Sequence, residues 1–505
     1  MTVDDVTGID AEWAETLTNL HERRRASRAM GGEERLAKHR AAGKLDARAR
    51  MAHLLDPGSF REIGTLVGGD VPADAFVAGT GTVEGRHVMA GCEDFTVLAG
   101  TSAAGTHAKR NRLAELALQE RVPLVMVLEG AGGRPTATHG IGRQPVDLTL
   151  QAMCSGKVPI VTAVCGAAAG HAELIAPMSD FRVMTERSCV FTAGPPVVKA
   201  STGEDITKEA LGGPSVAVAS GLVHNVAADD AAALDLVRHY LSFFPSSAWS
   251  YPPRRIGGDD QGPRPTPELL SIVPRNNRRV YDMRRVLDVL FDDGEWFEIQ
   301  PGSGGAVICA LAHLGGQTVA VVANQPLVLA GSIDADAADK AAHFISVADA
   351  FHIPLVFLSD NPGVLPGSQS EKAGILRAGA RMFAAQTLAT TPKLSVTLRK
   401  AYGFGSMVMA GAPYERQTAT FNFPGATTGV MGAASAGSAM KSDEEQLASL
   451  REAEFESSYR SAMGLSVDDM LDPRETRNAL LSSLSLALCR RQQAPKPRKH
   501  SAVML

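Results

Sequence analysis

The sequence predicts an α/β layer fold that occurs twice along one chain, and three observations carry that prediction. Short apolar, β-branched runs (Val122 to Leu128, Val158 to Val164, Phe181 to Met184) alternate with helix-like segments and glycine turns, which argues for layered strands and helices over a sandwich or a bundle. The tetrapeptide Val97-Leu98-Ala99-Gly100 returns 231 positions later as Val328-Leu329-Ala330-Gly331. Val122-Pro123-Leu124-Val125 and Ile353-Pro354-Leu355-Val356 share that offset, and Val158-Pro159 and Thr391-Pro392 lie 233 apart. Three ordered matches at nearly one offset make the chain two copies of one domain. Last, 49 glycines stand beside only 5% aromatic residues, as in a backbone that comes close to a ligand.

The elements follow in order. Residues 10–29 form a charged amphipathic pattern that Gly31-Gly32 stops, and 33–50 form a second, basic helix-like segment. Leu54 to Phe60, with Asp56-Pro57-Gly58, reads as a turn. The expected organisation is an N-terminal helical extension over 1–60, a first domain over 61–250 and a Pro/Gly-rich linker over 251–280. A second domain then covers 281–475, and a C-terminal helix with a basic tail covers 476–505. In both copies a proline opens an apolar strand that runs into glycines: Gly130 to Gly133 and Gly166 to Gly170 first, Asn361-Pro362-Gly363 and Gly403-Phe404-Gly405 second.

Composition narrows the function. With 45% hydrophobic residues and 50 Lys+Arg against 55 Asp+Glu, a net charge of −5, the chain buries enough surface to fold and lacks the bulk charge of a nucleic-acid binder. The six cysteines show no C-x-x-C, so neither a disulfide framework nor a structural metal site is expected. The first residues, Met1 to Asp5, show no basic stretch followed by an apolar one, so no signal peptide is expected, and no apolar run of about 18 residues occurs. The expectation is a cytoplasmic protein with no membrane partner.

Chemistry is sparse in side chains. There is no G-x-x-x-x-G-K-[ST], H-E-x-x-H or G-x-S-x-G string. Glycines at strand ends expose backbone N–H groups, and paired N–H groups stabilise an oxyanion. His171 and Glu173 beside the first turn are candidate acid or base groups, while Asp180 and Asp360 read as structural strand-end residues.

Several strings together resemble the acyl-CoA carboxylase carboxyltransferase β subunits over about residues 30–470. They are Ala42-Gly43-Lys44-Leu45-Asp46-Ala47-Arg48, Gly194-Pro195-Pro196-Val197, Ala323-Asn324-Gln325-Pro326, Pro362-Gly363-Val364-Leu365-Pro366-Gly367 and Arg399-Lys400-Ala401-Tyr402-Gly403. The resemblance implies two tandem crotonase-like domains of ββα superhelix type. It also implies transfer of CO2 from carboxybiotin to the α-carbon of an acyl-CoA through enolates held in two backbone oxyanion holes. Carried over residue by residue, the acyl-CoA hole falls on Gly170 and His171, and the biotin hole on Phe404 and Gly405. Gly132, Gly133, Ala169, Gly363, Gly403 and Met407 are expected to line the substrates. The family further implies a homo-oligomer, commonly a hexamer, with its site between the first domain of one subunit and the second of another. Biotin is expected on a partner α subunit that carries the biotin carboxylase, and no metal is expected on this chain.

This chain departs from the family at His171, where glycine is usual, and at Phe404-Gly405, where Gly-Ala is usual. It also has Glu129-Gly130-Ala131-Gly132-Gly133-Arg134 in place of Asp-Ser-Gly-Gly-Ala-Arg, and Met407 where propionyl-CoA enzymes often carry Asp. Ala439-Met440-Lys441-Ser442 matches only half of a biotinylation string and reads as an ordinary exposed lysine. Two further readings stand beside carboxylation: decarboxylation of a malonyl-type CoA onto biotin, and a non-catalytic scaffold subunit.

Overall fold

The computed structural model describes residues 11–135, 147–258, 260–412, 417–491 and 493–497. It divides into two compact units, one built from Met1–Cys154, Ile160–Ala217 and Val226–His239, the other from Ser155–Pro159, Val218–Asn225 and Tyr240–Leu505.

The N-terminal unit begins with α1 (Ala11–Arg28), α2 (Glu33–Ala41) and α3 (Ala47–Leu54). The basic segment read as one helix is two. Gly43 turns left-handed at φ 78°, and the Asp46 carboxylate caps α3 by accepting the Ala49 N–H at 3.0 Å. The strands are β1 (Arg61–Glu62), β2 (Phe76–Val83), β3 (Arg86–Glu93), β4 (Leu124–Leu128), β5 (Ile160–Val164), β6 (Ala167–Ala169), β7 (Phe181–Thr185), β8 (Cys189–Phe191) and β9 (Asn225–Ala227). They form a sheet of order β1-β2-β3-β4-β5-β7-β9, with β6 and β8 paired separately. β3, β4, β5 and β7 run parallel. All five residues of β4 and of β5 are buried, as expected of parallel strands covered on both faces. The helix α4 (Ala104–Glu120) crosses between β3 and β4 and buries Leu113, Ala114 and Ala117.

The C-terminal unit repeats the plan with β10 (Trp296–Ile299), β11 (Val307–Leu314), β12 (Gln317–Asn324), β13 (Leu355–Asn361), β14 (Lys393–Tyr402), β15 (Gln417–Asn422), β16 (Thr427–Gly429) and β17 (Asp469–Met470). The repeat reaches single residues. The β2–β3 hairpin turns on Glu84-Gly85 and the β11–β12 hairpin on Gly315-Gly316, all four with positive φ, the backbone a two-residue I′ turn demands. Left-handed Leu98-Ala99 has its counterpart in left-handed Leu329-Ala330. The parallel bridge Ser102↔Gly133 recurs as Ile333↔Val364, 231 positions on at both partners. Leu269, Ile272 and Val273, from the segment read as a linker, lie in the apolar core of this unit with Leu287, Val321, Val356 and Val396.

Candidate active site

In the N-terminal unit, β4 and β5 each end in a glycine turn, and the two turns touch. The Ala169 N–H donates to the Gly130 carbonyl at 2.9 Å. A Cβ on Gly170 would lie 3.2 Å from the Gly132 Cα, and one on Gly132 would lie 3.1 Å from the Ala169 carbonyl oxygen. The Ser102 N–H takes the Gly132 carbonyl and the Arg134 N–H takes the Ser102 carbonyl, each at 2.8 Å. The Gly133 N–H stays outside that ladder. The Gly170 N–H donates to the Phe191 carbonyl at 3.2 Å, so of the expected pair the amide of His171, first residue of the 3₁₀ turn His171–Leu174, is the one that a helix start leaves over.

The C-terminal unit brings Gly363, Gly403, Phe404 and Gly405 together in the same way. The Ile333 N–H takes the Gly363 carbonyl at 3.1 Å and the Leu365 N–H takes the Ile333 carbonyl at 2.8 Å. The Gly363 N–H donates to Asn361 Oδ1 at 3.1 Å. Gly405 is pressed against this turn: a Cβ there would meet Asn361 Oδ1 at 2.2 Å and Gly363 Cα at 2.6 Å. Gly403 to Gly405 open the short helix Gly403–Val408. The Phe404 ring turns towards Phe383, 6.0 Å away, and leaves its amide at the helix start. Met407 is 40% exposed, and its carbonyl accepts Gln386 Nε2 at 2.9 Å.

Sequence reasoning missed Val364, Asn361, Arg50 and Arg399. The 231-residue offset applied to Gly133 points to Val364, so that signal was present. Arg50 and Arg399 act through long-range contacts, and Asn361 through Gly363 two residues on and Gly405 across the turn. Glu129 is buried with Arg50 at 2.6 Å, with Lys44 paired to its Oε1, and with His39 at 3.6 Å. Its own N–H donates to Glu93 at 2.6 Å. Burial raises the Glu93 carboxyl although Arg110 opposes it. Burial, helped by the Glu93 charge, holds the Glu173 carboxyl well above the usual range. In the other unit Asp360 pairs with Arg399 at 2.6 Å and Lys400 at 3.7 Å, and burial lowers the Lys400 ammonium. Burial pushes the Cys165 thiol up to about 12, so it is inert. Asp180 accepts the Ile160 N–H at 2.8 Å, a strand-end structural contact. Lys441 is the exposed, left-handed cap of the helix Ala433–Met440.

Among the described residues no group of three His, Cys, Asp or Glu side chains is placed to hold a metal, and no helix is long and apolar enough to cross a membrane. What both units offer is donors: backbone N–H groups displayed by glycine turns at the carboxyl ends of parallel strands, the usual ligand position in α/β folds.

The comparisons identify the family. The carboxyl transferase domain family matches residues 38–502. The chain is 36% identical over 507 residues to the methylmalonyl-CoA carboxyltransferase 12S subunit of Propionibacterium freudenreichii subsp. shermanii, covering 95% of each. It is 35% identical over 517 residues to the biotin-dependent long chain acyl-coenzyme A carboxylase beta4 subunit of Mycobacterium tuberculosis, covering 97% of this chain and 98% of that one. A solved transcarboxylase 12S structure, described as a hexamer assembly with methylmalonyl-coenzyme A and methylmalonic acid bound, superposes with a TM-score of 0.88 at 35% identity, covering 97% of this chain and 99% of that one. Two crotonase-like units, a matched family over nearly the whole length and relatives at 35–36% identity place the chain in the carboxyltransferase β-subunit family of biotin-dependent acyl-CoA carboxylases.

Proposed function

We propose that this chain moves a carboxyl group between biotin and the α-carbon of an acyl-CoA thioester, with one oxyanion site in each unit. The observation that supports it is the pair of touching glycine turns in each unit, displaying amides that their own hydrogen-bond ladders leave over. In the N-terminal unit the Gly133 amide, with the Gly170–His171 step, would hold the thioester oxygen as negative charge develops on it. In the C-terminal unit the amides of Val364, Phe404 and Gly405 would do the same for the ureido oxygen of biotin. Each such donor is worth about 3–4 kcal/mol of barrier. Biotin, when bound, supplies the transferable carboxyl group. The C-terminal turns suit it in donor chemistry, since backbone N–H groups match an oxygen anion and Gly363 brings no side chain to the opening. Glu173 is only 4% exposed, which argues against it as a general base.

The reading includes a homo-oligomer, a hexamer as in the transcarboxylase neighbour, and biotin delivered on a partner α subunit. Six free cysteines, five of them buried, suit a reducing compartment such as the cytoplasm. The test is the purified chain with carboxybiotin and a panel of acyl-CoA thioesters, read by mass spectrometry. Carboxylated product from at least one thioester is expected. A chain that transfers nothing in either direction is a scaffold. A chain that only strips malonyl-type thioesters is a decarboxylase subunit.

A further inference from the structure

Each pair of glycine turns hangs on the ends of two neighbouring parallel strands, and in each unit one buried arginine ties those ends together. In the C-terminal unit this arginine belongs to the sheet. Arg399 lies on β14 just before Gly403, and its Nε donates at 2.6 Å to Asp360 on β13, just before Gly363. Its Nη1 is held by the carbonyls of Pro274, Asn276 and Arg279 at 3.4, 3.1 and 2.6 Å, and the guanidinium carbon sits 4.7 Å from the Tyr281 ring centroid.

In the N-terminal unit the position 233 residues before Arg399 is Gly166, which offers no side chain. The arginine comes instead from α3. Arg50 Nη2 pairs with Glu129 at 2.6 Å, just before the Gly130 to Gly133 turn, and donates to the Cys165 carbonyl at the end of β5 at 3.3 Å. Asp230 fixes the same guanidinium through Nε at 2.8 Å. A Cβ on Gly166 would lie 2.2 Å from Glu129 Oε1, so the glycine makes room for the carboxylate that Arg50 grips. Arg50 is 1% exposed and Arg399 3%. One tie is made twice with different parts: a strand arginine in one copy, a helix arginine and a glycine in the other.

We propose that Arg50 and Arg399 are positioning residues for the two anion-holding turn pairs, Arg50 for the acyl-CoA side and Arg399 for the biotin side. The proposal rests on the functional reading above. Oxyanion donors stabilise charge only when held to within about half an ångström, and each strand-end pair carries both halves of a donor set. A guanidinium presents its donors in a rigid planar fork that holds several acceptors in fixed geometry, whereas a lysine ammonium is a compact point charge on a flexible stem.

The test uses the full-length chain and a nitronate analogue of the best-accepted acyl-CoA, whose anionic oxygens stand in for the thioester enolate. Dissociation constants for this analogue and for the acyl-CoA itself are measured by calorimetry, beside kcat and KM for carboxyl transfer. Arg50→Lys is expected to weaken nitronate binding about tenfold or more while acyl-CoA binding stays within about threefold, and to lower kcat by about 100-fold with KM little changed. Arg399→Lys is expected to lower kcat similarly while both affinities stay within about threefold. Wild-type nitronate affinity in Arg50→Lys, or an equal loss in Arg399→Lys, overturns the assignment. Should thermal melts show Arg50→Lys unfolded, the uncharged set Arg50→Met with Glu129→Gln and Asp230→Asn is measured, because replacing Arg50 with every charged partner it has is far milder than stranding one charge. Loss of the nitronate preference in that set supports the tie, and its retention overturns it. A wild-type chain that neither prefers the nitronate nor transfers CO2 overturns the functional reading itself, and this proposal with it.

Discussion

A single carbon added at Gly405 would sit 2.2 Å from Asn361 Oδ1 and 2.6 Å from the Gly363 backbone, whereas one added at Gly133 meets nothing within 4 Å. Gly405→Ala is therefore expected to push the two C-terminal turns apart, costing about 1–3 kcal/mol of stability and about 100-fold in kcat. Gly133→Ala should melt with the wild type and keep its activity within about threefold. Differential scanning fluorimetry beside transfer assays separates the two, and equal behaviour of both variants would contradict the packing. Met407, 40% exposed and adaptable in shape, is the residue to alter for chain-length preference. Met407→Asp is expected to change the ratio of kcat/KM between short and long acyl chains by about tenfold or more. An unchanged ratio removes Met407 from the acyl-binding wall. Gly133, Gly405 and Met407 were all legible in the sequence as members or neighbours of the glycine turns. Asn361, which binds the Gly363 N–H and fills the slot Gly405 leaves, was not, because an asparagine in a turn carries no mark of its distant partner.

At the scale of elements, the 3₁₀ turn His171–Leu174 carries a buried carboxyl. Glu173 is 4% exposed, and burial, then the neighbouring charges of Glu93 and Asp147, raise it, while Arg110 alone lowers it. The native chain thus keeps a proton that the unfolded chain has released above about pH 4.5. Stability is fully present below that value and falls as pH rises towards the native-state pKa, by about 1.4 kcal/mol per pH unit within the window. Glu173→Gln should match the wild type at pH 4 and exceed its Tm at pH 7. Melts that shift equally at both values would show that the carboxyl is already ionised in the native state. The helices α2 and α3 show where sequence reading blurs. Their residue types are helical throughout, and the break at Gly43 with the cap at Asp46 is a matter of two backbone angles and one hydrogen bond.

At the scale of the whole molecule, a subunit that receives biotin from a partner should hydrolyse no ATP by itself and should sediment as an oligomer. Multi-angle light scattering is expected to give about six times the 53.1 kDa chain mass. A monomer with full transfer activity would refute the oligomeric part of the proposed function. The repeat, the α/β class and the family were written in the sequence, because strand, turn and glycine positions are set locally and survive duplication as a nearly constant offset. The tertiary structure alone decided which amides are already taken, as with Gly170 and Phe191, and which charges stand behind the turns. Lys44 and Glu129 are 85 positions apart, and Arg50 replaces in space a side chain that its copy carries on a strand. Coulombic and hydrogen-bond partners are chosen by distance in the folded chain, and no spacing along the sequence encodes that distance.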